Sequence, residues 1–145
     1  MEKTYMHTGI PVAEKMDGMA YMAGLKVWIC NNEEYKIEYL YWEKDTPCAW
    51  RMVAETHVAY KVADVQAAVD EAVAAGAAVL LPKYSLGGTC AIAYVGYKNG
   101  PQVEFFQDGQ PAGESRLPRA PTIRRFYHAD EEVHERSREP HQGAP

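Results

Sequence analysis

Thr56-His57-Val58-Ala59-Tyr60 and Gln102-Val103-Glu104-Phe105-Phe106 are the stretches that decide the fold of this 145-residue chain. Both are rich in β-branched and aromatic residues, which indicates strands, and they carry a histidine and then a glutamate. Met6-His7-Thr8-Gly9-Ile10 and Lys36-Ile37-Glu38-Tyr39-Leu40 repeat this arrangement earlier in the chain. The sequence therefore contains two similar halves, which together offer two histidines and two glutamates, enough ligands to hold a divalent metal.

The second half follows a β-α-β-β-β pattern. Asp64 is a suitable N-cap for a helix with a single apolar stripe, and Gly76 is a suitable stop. Asn99-Gly100 indicates a hairpin before the last strand. The strands are predicted at Glu55–Val62, at Ala78–Leu81 where Pro82 ends the strand, at Thr89–Tyr97, and at Gln102–Gln107.

The first half follows a β-α-β-β pattern, with about one strand missing or hidden. Apolar residues at Met16, Met19, Ala20 and Ala23 have helical spacing and predict a helix over 13–24. A turn is predicted at 31–34 and a linker at Asp45–Trp50. The strands are predicted at 4–12, Leu25–Cys30 and Tyr35–Trp42.

Composition divides the chain near Asp108. We expect an α+β domain over residues 1–107, made of modules at about 4–45 and 55–107. Residues 108–145 form a polar extension that contains five of the nine prolines. A short helix is predicted around Ala129–Arg138, and the remaining histidines, which we interpret as surface residues, are His128, His134 and His141.

The bulk properties limit the partners and the compartment. The net charge is −5 and the body has no run of Lys and Arg, so a nucleic-acid partner is not expected. No stretch approaches the ~20 apolar residues of a membrane span, and the N-terminus lacks a signal-peptide core. Cys30, Cys48 and Cys90 lack CxxC spacing, which favours reduced thiols in a cytoplasmic protein. Cys30 and Cys90 lie in apolar runs and are interpreted as packing residues.

Strand alternation places each glutamate among apolar neighbours. Residues two apart share a face, so Glu38 lies beside Leu40 and Trp42, and Glu104 lies beside Phe106. A carboxylate buried there alone is costly, and a metal or a cation would offset that cost. The alternative is that these faces are exposed and the glutamates are solvated.

The second half resembles the vicinal oxygen chelate superfamily, which includes glyoxalase I, methylmalonyl-CoA epimerase, extradiol dioxygenases, and fosfomycin and bleomycin resistance proteins. The resemblance covers about residues 4–107 and is weaker in the first half than in the second. It implies paired βαβββ modules that form an open barrel-like sheet around a metal site, with the first module shortened. The residues that carry it are Thr56 to Val65, Ala91-Ile92-Ala93-Tyr94-Val95, and Asn99 to Phe105.

The resemblance also implies roles for individual residues. His7, Glu38, His57 and Glu104 correspond by position to the four metal ligands, a set similar to that of glyoxalase I. Epimerases of the superfamily usually have Gln where Glu38 stands. Only 31 positions separate His7 from Glu38, whereas 47 separate His57 from Glu104, and we expect this shortening to open one side of the cavity.

Three functions follow as hypotheses. The first is a metal-dependent lyase or isomerase that stabilises an enolate or alkoxide of a small carbonyl or hydroxyacid substrate, with Glu38 or Glu104 as proton shuttle. The metal would be Zn, Ni, Co, Mn or Fe. The second is a non-haem iron dioxygenase that uses His7, His57 and Glu104, and the third is a non-enzymatic drug-binding protein. If the resemblance holds, Trp42, Tyr94 and Phe106 would pack an apolar part of the small-molecule substrate, and the alternative is that they are ordinary core residues. The resemblance also implies a homodimer.

Overall fold

A computed structural model describes residues 1–109 of the chain and shows an α+β fold dominated by one curled sheet. The predicted helix at 129–138 and the three histidines of the extension lie outside these residues. The strands are β1 Thr4–Pro11, β2 Ala20–Met22, β3 Val27–Asn32, β4 Ile37–Trp42, β5 His57–Lys61, β6 Ala78–Gly87, β7 Cys90–Gly96 and β8 Gln102–Gln107. The helices are α1 Trp50–Ala54 and α2 Val65–Ala74.

The sheet has the strand order β2-β3-β4-β1-β5-β8-β7-β6 and curls into an open half-barrel. Within each module the first and last strands are parallel neighbours, β1 with β4 and β5 with β8. The antiparallel pairing of β1 with β5 joins the two modules. The first and last strands of both modules therefore occupy the middle of the sheet, and the strand order is symmetric about the β1–β5 pair.

The second module has the predicted β-α-β-β-β order. The Asp64 side chain caps α2 by accepting a hydrogen bond from the Ala67 N–H at 3.0 Å, and Gly76 follows the helix with φ +102°. The prediction that Pro82 ends a strand is wrong, because β6 continues to Gly87. This strand forms the edge of the sheet, where the missing N–H of a proline leaves no ladder hydrogen bond unmade.

The predicted helix over 13–24 is also wrong. Turns and the short strand β2 occupy this segment, and Gly18 has φ +80°, a left-handed conformation that interrupts a helix. The first module is therefore four strands without a helix, and β2 is the strand that was expected to be missing or hidden. Without a helix to cover them, Ile37, Tyr39 and Tyr41 stay half-buried on the outer face of β4.

The segment between the modules contains α1, which the sequence did not predict. Met52, a residue of this helix, is buried in the core. The Arg51 guanidinium donates hydrogen bonds to the carbonyl oxygens of Tyr97 at 2.8 Å and Gly100 at 2.7 Å, and its Nε pairs with Glu55. This arginine ties the linker to the β7–β8 hairpin of the second module.

Two clusters of apolar side chains lie on opposite faces of the sheet. One packs between α2 and β6, β7 and β8 and is built mainly from small residues such as Ala68, Val69 and Ala93. The other lies on the inner, concave face and includes Leu40, Trp42 and Phe106. Cys30 and Cys90 are buried, as predicted for packing residues, and no disulfide links cysteines within residues 1–109.

The cap of α2 offers a test of the second module. Replacing Asp64 with Ala leaves a helix N–H without its acceptor, so we expect the free energy of unfolding to fall by about 1 kcal/mol. Urea denaturation monitored by circular dichroism measures the change. Asp70→Ala is the matched control, because Asp70 is exposed in the middle of the same helix, and it should change stability by less than about 0.5 kcal/mol. Equal effects of the two variants would contradict the assigned cap.

Candidate metal centre

Four buried side chains converge at the centre of the sheet. His7 comes from β1, Glu38 from β4, His57 from β5 and Glu104 from β8, and one potential ligand atom from each lies within 4.8 Å of all the others. All four side chains are at least nine-tenths buried. The structure thus brings together the four residues that the sequence singled out and leaves none of them solvated, although their binding of a metal stays a prediction.

Strand register explains why these residues meet. Gly9 is the Cα partner of Glu38, and Ala59 is the Cα partner of Glu104. Each histidine lies two positions before one of these small residues, so the two modules present their ligands in the same register. The shorter distance in sequence between His7 and Glu38 reflects the absent helix and leaves this register unchanged.

The ligand atoms are spaced as a shared cation requires. The Nε2 atoms of His7 and His57 lie 3.3 Å apart. Glu104 Oε2 lies 3.0 Å from His57 Nε2 and 3.3 Å from His7 Nε2, and Glu38 Oε1 lies 3.9 Å and 3.5 Å from the same atoms. With metal–ligand bonds of about 2.0–2.2 Å, donor atoms around one ion lie roughly 3–3.5 Å apart.

The chemistry of this donor set fits a divalent metal. Glu104 Oε2 is buried among the described residues without a hydrogen bond of good geometry, despite the two imidazoles nearby. Imidazole nitrogen and carboxylate oxygen together suit Zn, Ni, Co, Mn and Fe, so the residue types do not choose among these ions. His7, Glu38, His57 and Glu104 are accordingly the side chains that would hold the metal.

The charges within the cluster are strongly coupled. Burial would lower the pKa of His7, but the carboxylates of Glu38 and Glu104 outweigh it and raise that pKa from 6.5 to about 9. Burial raises the pKa of Glu38 despite the neighbouring histidines. Burial also opposes ionisation of Glu104, yet His57 and His7 hold its pKa well below the usual value. The two carboxylates are therefore unequal, with Glu104 the more firmly ionised.

Tyr94 further distinguishes the two carboxylates. It is the cross-strand partner of Glu104, whereas Asn31 is the partner of Glu38. Its ring packs edge-on against the His57 imidazole with the centroids 5.1 Å apart. Burial, followed by the nearby Glu104, raises the pKa of Tyr94 well above its usual value, so its hydroxyl stays protonated and can donate a hydrogen bond.

A cavity of about 210 Å³ opens onto the cluster from the concave face. Glu38 and Glu104 lie at its polar end. The predicted aromatic residues Trp42, Tyr94 and Phe106 line it, and its other walls come from aliphatic side chains of β3, β4, β6 and β7 and from residues 21–25. The arrangement places two carboxylates at the bottom of an otherwise apolar cavity.

Sequence reasoning overlooked Gly9. A Cβ atom at this position would overlap the imidazole of His57, so only glycine leaves room for the ring. The corresponding residue of the second module is Ala59, which is the cross-strand partner of His7. The sequence signal for this close packing was a small residue two positions after each histidine.

Comparison with solved structures identifies the fold. A hypothetical protein from Bacillus halodurans C-125 superposes with a TM-score of 0.56 at 20% identity, over 79% of this chain and 100% of that one. A methylmalonyl-CoA epimerase in complex with methylmalonyl-CoA and NH4+ gives a TM-score of 0.52 at 16% identity, over 77% and 96%. The Streptomyces coelicolor epimerase in complex with 2-nitronate-propionyl-CoA gives 0.52 at 16%, over 77% and 97%.

The chain has the vicinal oxygen chelate fold. The expected architecture is thus confirmed, with the helix of the first module absent. No protein-family model matches the chain, and no curated protein matches its sequence. Within residues 1–109, no helix is long and apolar enough to cross a membrane.

The close approach of Gly9 to His57 generates a prediction about this candidate metal site. Gly9→Ala should displace the His57 imidazole and weaken metal binding by at least about tenfold, with a loss of stability of about 1–3 kcal/mol from overpacking. Competition with a chromophoric chelator measures the affinity. Thr8→Ala is the control, because Thr8 points to the opposite face of β1 and bonds the Tyr5 hydroxyl. Unchanged metal affinity in Gly9→Ala would contradict the geometry.

The raised pKa of His7 predicts how metal binding depends on pH. An imidazolium must lose its proton to become a ligand, so the apparent affinity should rise by about tenfold per pH unit and level off near the His7 pKa of about 9. In metal-free protein the same shift stabilises the fold fully below about pH 6.5, and this contribution is lost as the pH rises through about 9. Chelator competition and thermal melts at pH 6, 7, 8 and 9 test both trends, and flat profiles would contradict them.

Proposed function

We propose that the protein is a metal-dependent lyase or isomerase of the glyoxalase-like type, acting on a small carbonyl or hydroxyacid substrate. The observation that carries this proposal is the convergence of two buried histidines and two buried glutamates, with both carboxylates facing the apolar cavity. A divalent metal held by these four residues would polarise a substrate carbonyl and stabilise negative charge on its oxygen.

The geometry suits the two glutamates to different tasks. Glu104 lies within 3.3 Å of both imidazole Nε2 atoms, so we assign it as a permanent ligand. Glu38 lies farther from both imidazoles, at 3.5 and 3.9 Å, and burial raises its pKa. A more weakly held carboxylate with a raised pKa is suited to accept and return a proton. We therefore assign Glu38 as the proton shuttle.

The remaining walls of the cavity would position the substrate. Trp42 and Phe106 offer apolar surface next to the carboxylates, and the Tyr94 hydroxyl supplies a neutral donor. Enclosure by these side chains limits water around the reacting carbon, which strengthens the electrostatic effect of each carboxylate. The site is therefore built for proton transfer in an environment of low polarity.

The solved neighbours support the isomerase class in general terms. Two of them are methylmalonyl-CoA epimerases, and one was solved with methylmalonyl-CoA bound. This chain has Glu at position 38, where the resemblance leads us to expect Gln in an epimerase. We therefore favour a glyoxalase-like reaction over methylmalonyl-CoA epimerisation.

The two rival functions receive less support. An iron dioxygenase of this type would need only His7, His57 and Glu104, yet Glu38 converges on the same point. A drug-binding protein needs the cavity but gives no reason for four buried ionisable side chains at its base. We also retain as proposals a cytoplasmic homodimer and the division into a domain over residues 1–107 and an extension over 108–145.

Two substitutions separate the roles of the carboxylates. Glu38→Gln should keep close to one bound metal ion per chain and reduce turnover by about a hundredfold, because the proton acceptor is lost. Glu104→Gln should weaken metal binding itself, since it removes the carboxylate that lies closest to the imidazoles. Metal binding is measured as metal content after reconstitution and dialysis. Turnover is measured as washout of α-hydrogen from small carbonyl compounds in D2O.

The wild-type protein sets the reference for both variants. Lack of stoichiometric metal in the reconstituted wild type would overturn the proposed function. Equal metal loss in the two variants, or wild-type α-hydrogen washout in metal-loaded Glu38→Gln, would contradict the assignment of the shuttle. Oxygen consumption with a catechol would instead support the dioxygenase.

A further inference from the structure

Among the residues that the structure describes, the walls of the cavity carry no positive charge. Of the fourteen residues that line it, twelve are aliphatic, thioether or aromatic and two are the carboxylates of Glu38 and Glu104. Neither lysine, arginine nor histidine lines it within residues 1–109. A substrate carboxylate or phosphate in this cavity would therefore lose its hydration without gaining an ionic partner from these walls, which costs several kcal/mol.

Two lysines near the cavity lie outside its walls. Lys26 follows the lining residue Leu25, but its ammonium forms an ion pair with Asp45. Lys36 lies beside a separate pocket of about 190 Å³ that touches His7 and also contains Glu33. Neither lysine lies in the wall of the cavity.

The proposed metal would not change this balance. Two ionised glutamates offset the two positive charges of a divalent ion, and neutral imidazoles add none. A site with one carboxylate would keep one net positive charge and could attract an anion. With two carboxylates the field at the base of the cavity is close to neutral.

We propose that the substrate is an uncharged carbonyl compound with an apolar substituent, not a carboxylate, a phosphate ester or a coenzyme A thioester. The carbonyl part of this proposal rests on the metal-dependent function above, whereas the neutral, apolar part rests on the cavity walls. A cavity of about 210 Å³ is below the ~300–1,000 Å³ of pockets that enclose drug-sized ligands, so the enclosed part of the substrate is small.

A matched set of probes separates the effect of ligand charge from the effect of ligand shape. The probes are 1-phenyl-1,2-propanedione and its 4-carboxamide and 4-carboxylate derivatives, which share one dione group. The last two are nearly equal in size and differ in charge. Isothermal titration calorimetry of the full chain, with and without Zn²⁺, should give at least about tenfold tighter binding of the parent and the carboxamide than of the carboxylate.

Variants of β6 place the effect in the cavity. Leu86 lines the cavity and is half-buried, so Leu86→Lys should improve carboxylate binding by at least about tenfold through the added cation. Leu86→Met keeps the wall neutral and should preserve the wild-type preference. Val79→Lys adds the same charge at an exposed position on the same strand and should also preserve it.

Each outcome has a defined meaning. The inference is overturned if the carboxylate binds the wild type as tightly as the carboxamide, if the parent dione shows no binding, or if Leu86→Lys leaves the preference unchanged. Metal content is measured on the same samples. A protein that prefers neutral probes but binds no metal would refute the proposed function and support the neutral cavity. A protein that binds metal but does not prefer neutral probes would refute the neutral cavity and leave the proposed function standing.

Discussion

The structure depends on keeping two carboxylates and two imidazoles buried together in the middle of one sheet. A single ionised carboxylate in such a place is costly, so the stability of the centre requires mutual compensation. The imidazoles within 3.3 Å provide it for Glu104, whose pKa is lowered, but less completely for Glu38, whose pKa burial raises. A divalent cation would supply the missing positive charge, which makes metal binding a matter of folding energy as well as of chemistry.

This constraint also explains which parts of the repeat the two modules share. The ligands depend on the pairing of β1 with β4, of β5 with β8, and of β1 with β5. The first two pairings set each glutamate opposite a small residue, and the third sets each histidine opposite one. The helix of the second module packs with the apolar cluster on the opposite face of the sheet. The first module can therefore lack that helix, at the cost of half-buried aromatic side chains on its outer face, without any loss of register at the centre.

Sequence reasoning succeeded where the evidence was local and periodic. Alternation along β4 and β8 placed Glu38 and Glu104 on buried faces, and Gln102–Gln107 was predicted with its observed bounds. It failed over 13–24, because the spacing of Met16 and Met19 resembles a helix while Gly18 adopts a left-handed conformation that composition alone does not reveal. The meeting of His7 with Glu38 required the parallel pairing of β1 with β4, which is a property of the whole sheet.

The use of two carboxylates has a consequence that links the metal centre to the cavity. In the proposed reaction a second glutamate would lower the net charge of the metal-loaded site and so weaken its attraction for anions, but it would also place a proton acceptor beside the reacting carbon. Losing attraction for anions in return for a proton acceptor is favourable only when the substrate carries no charge that the site must balance. The walls formed by residues such as Leu40, Ile92 and Phe106 match this requirement, because in a weakly polar cavity an unbalanced charge is costly and a single well-placed carboxylate acts strongly on a nearby proton. The neutrality of the centre and the apolarity of the cavity are thus two parts of one electrostatic design.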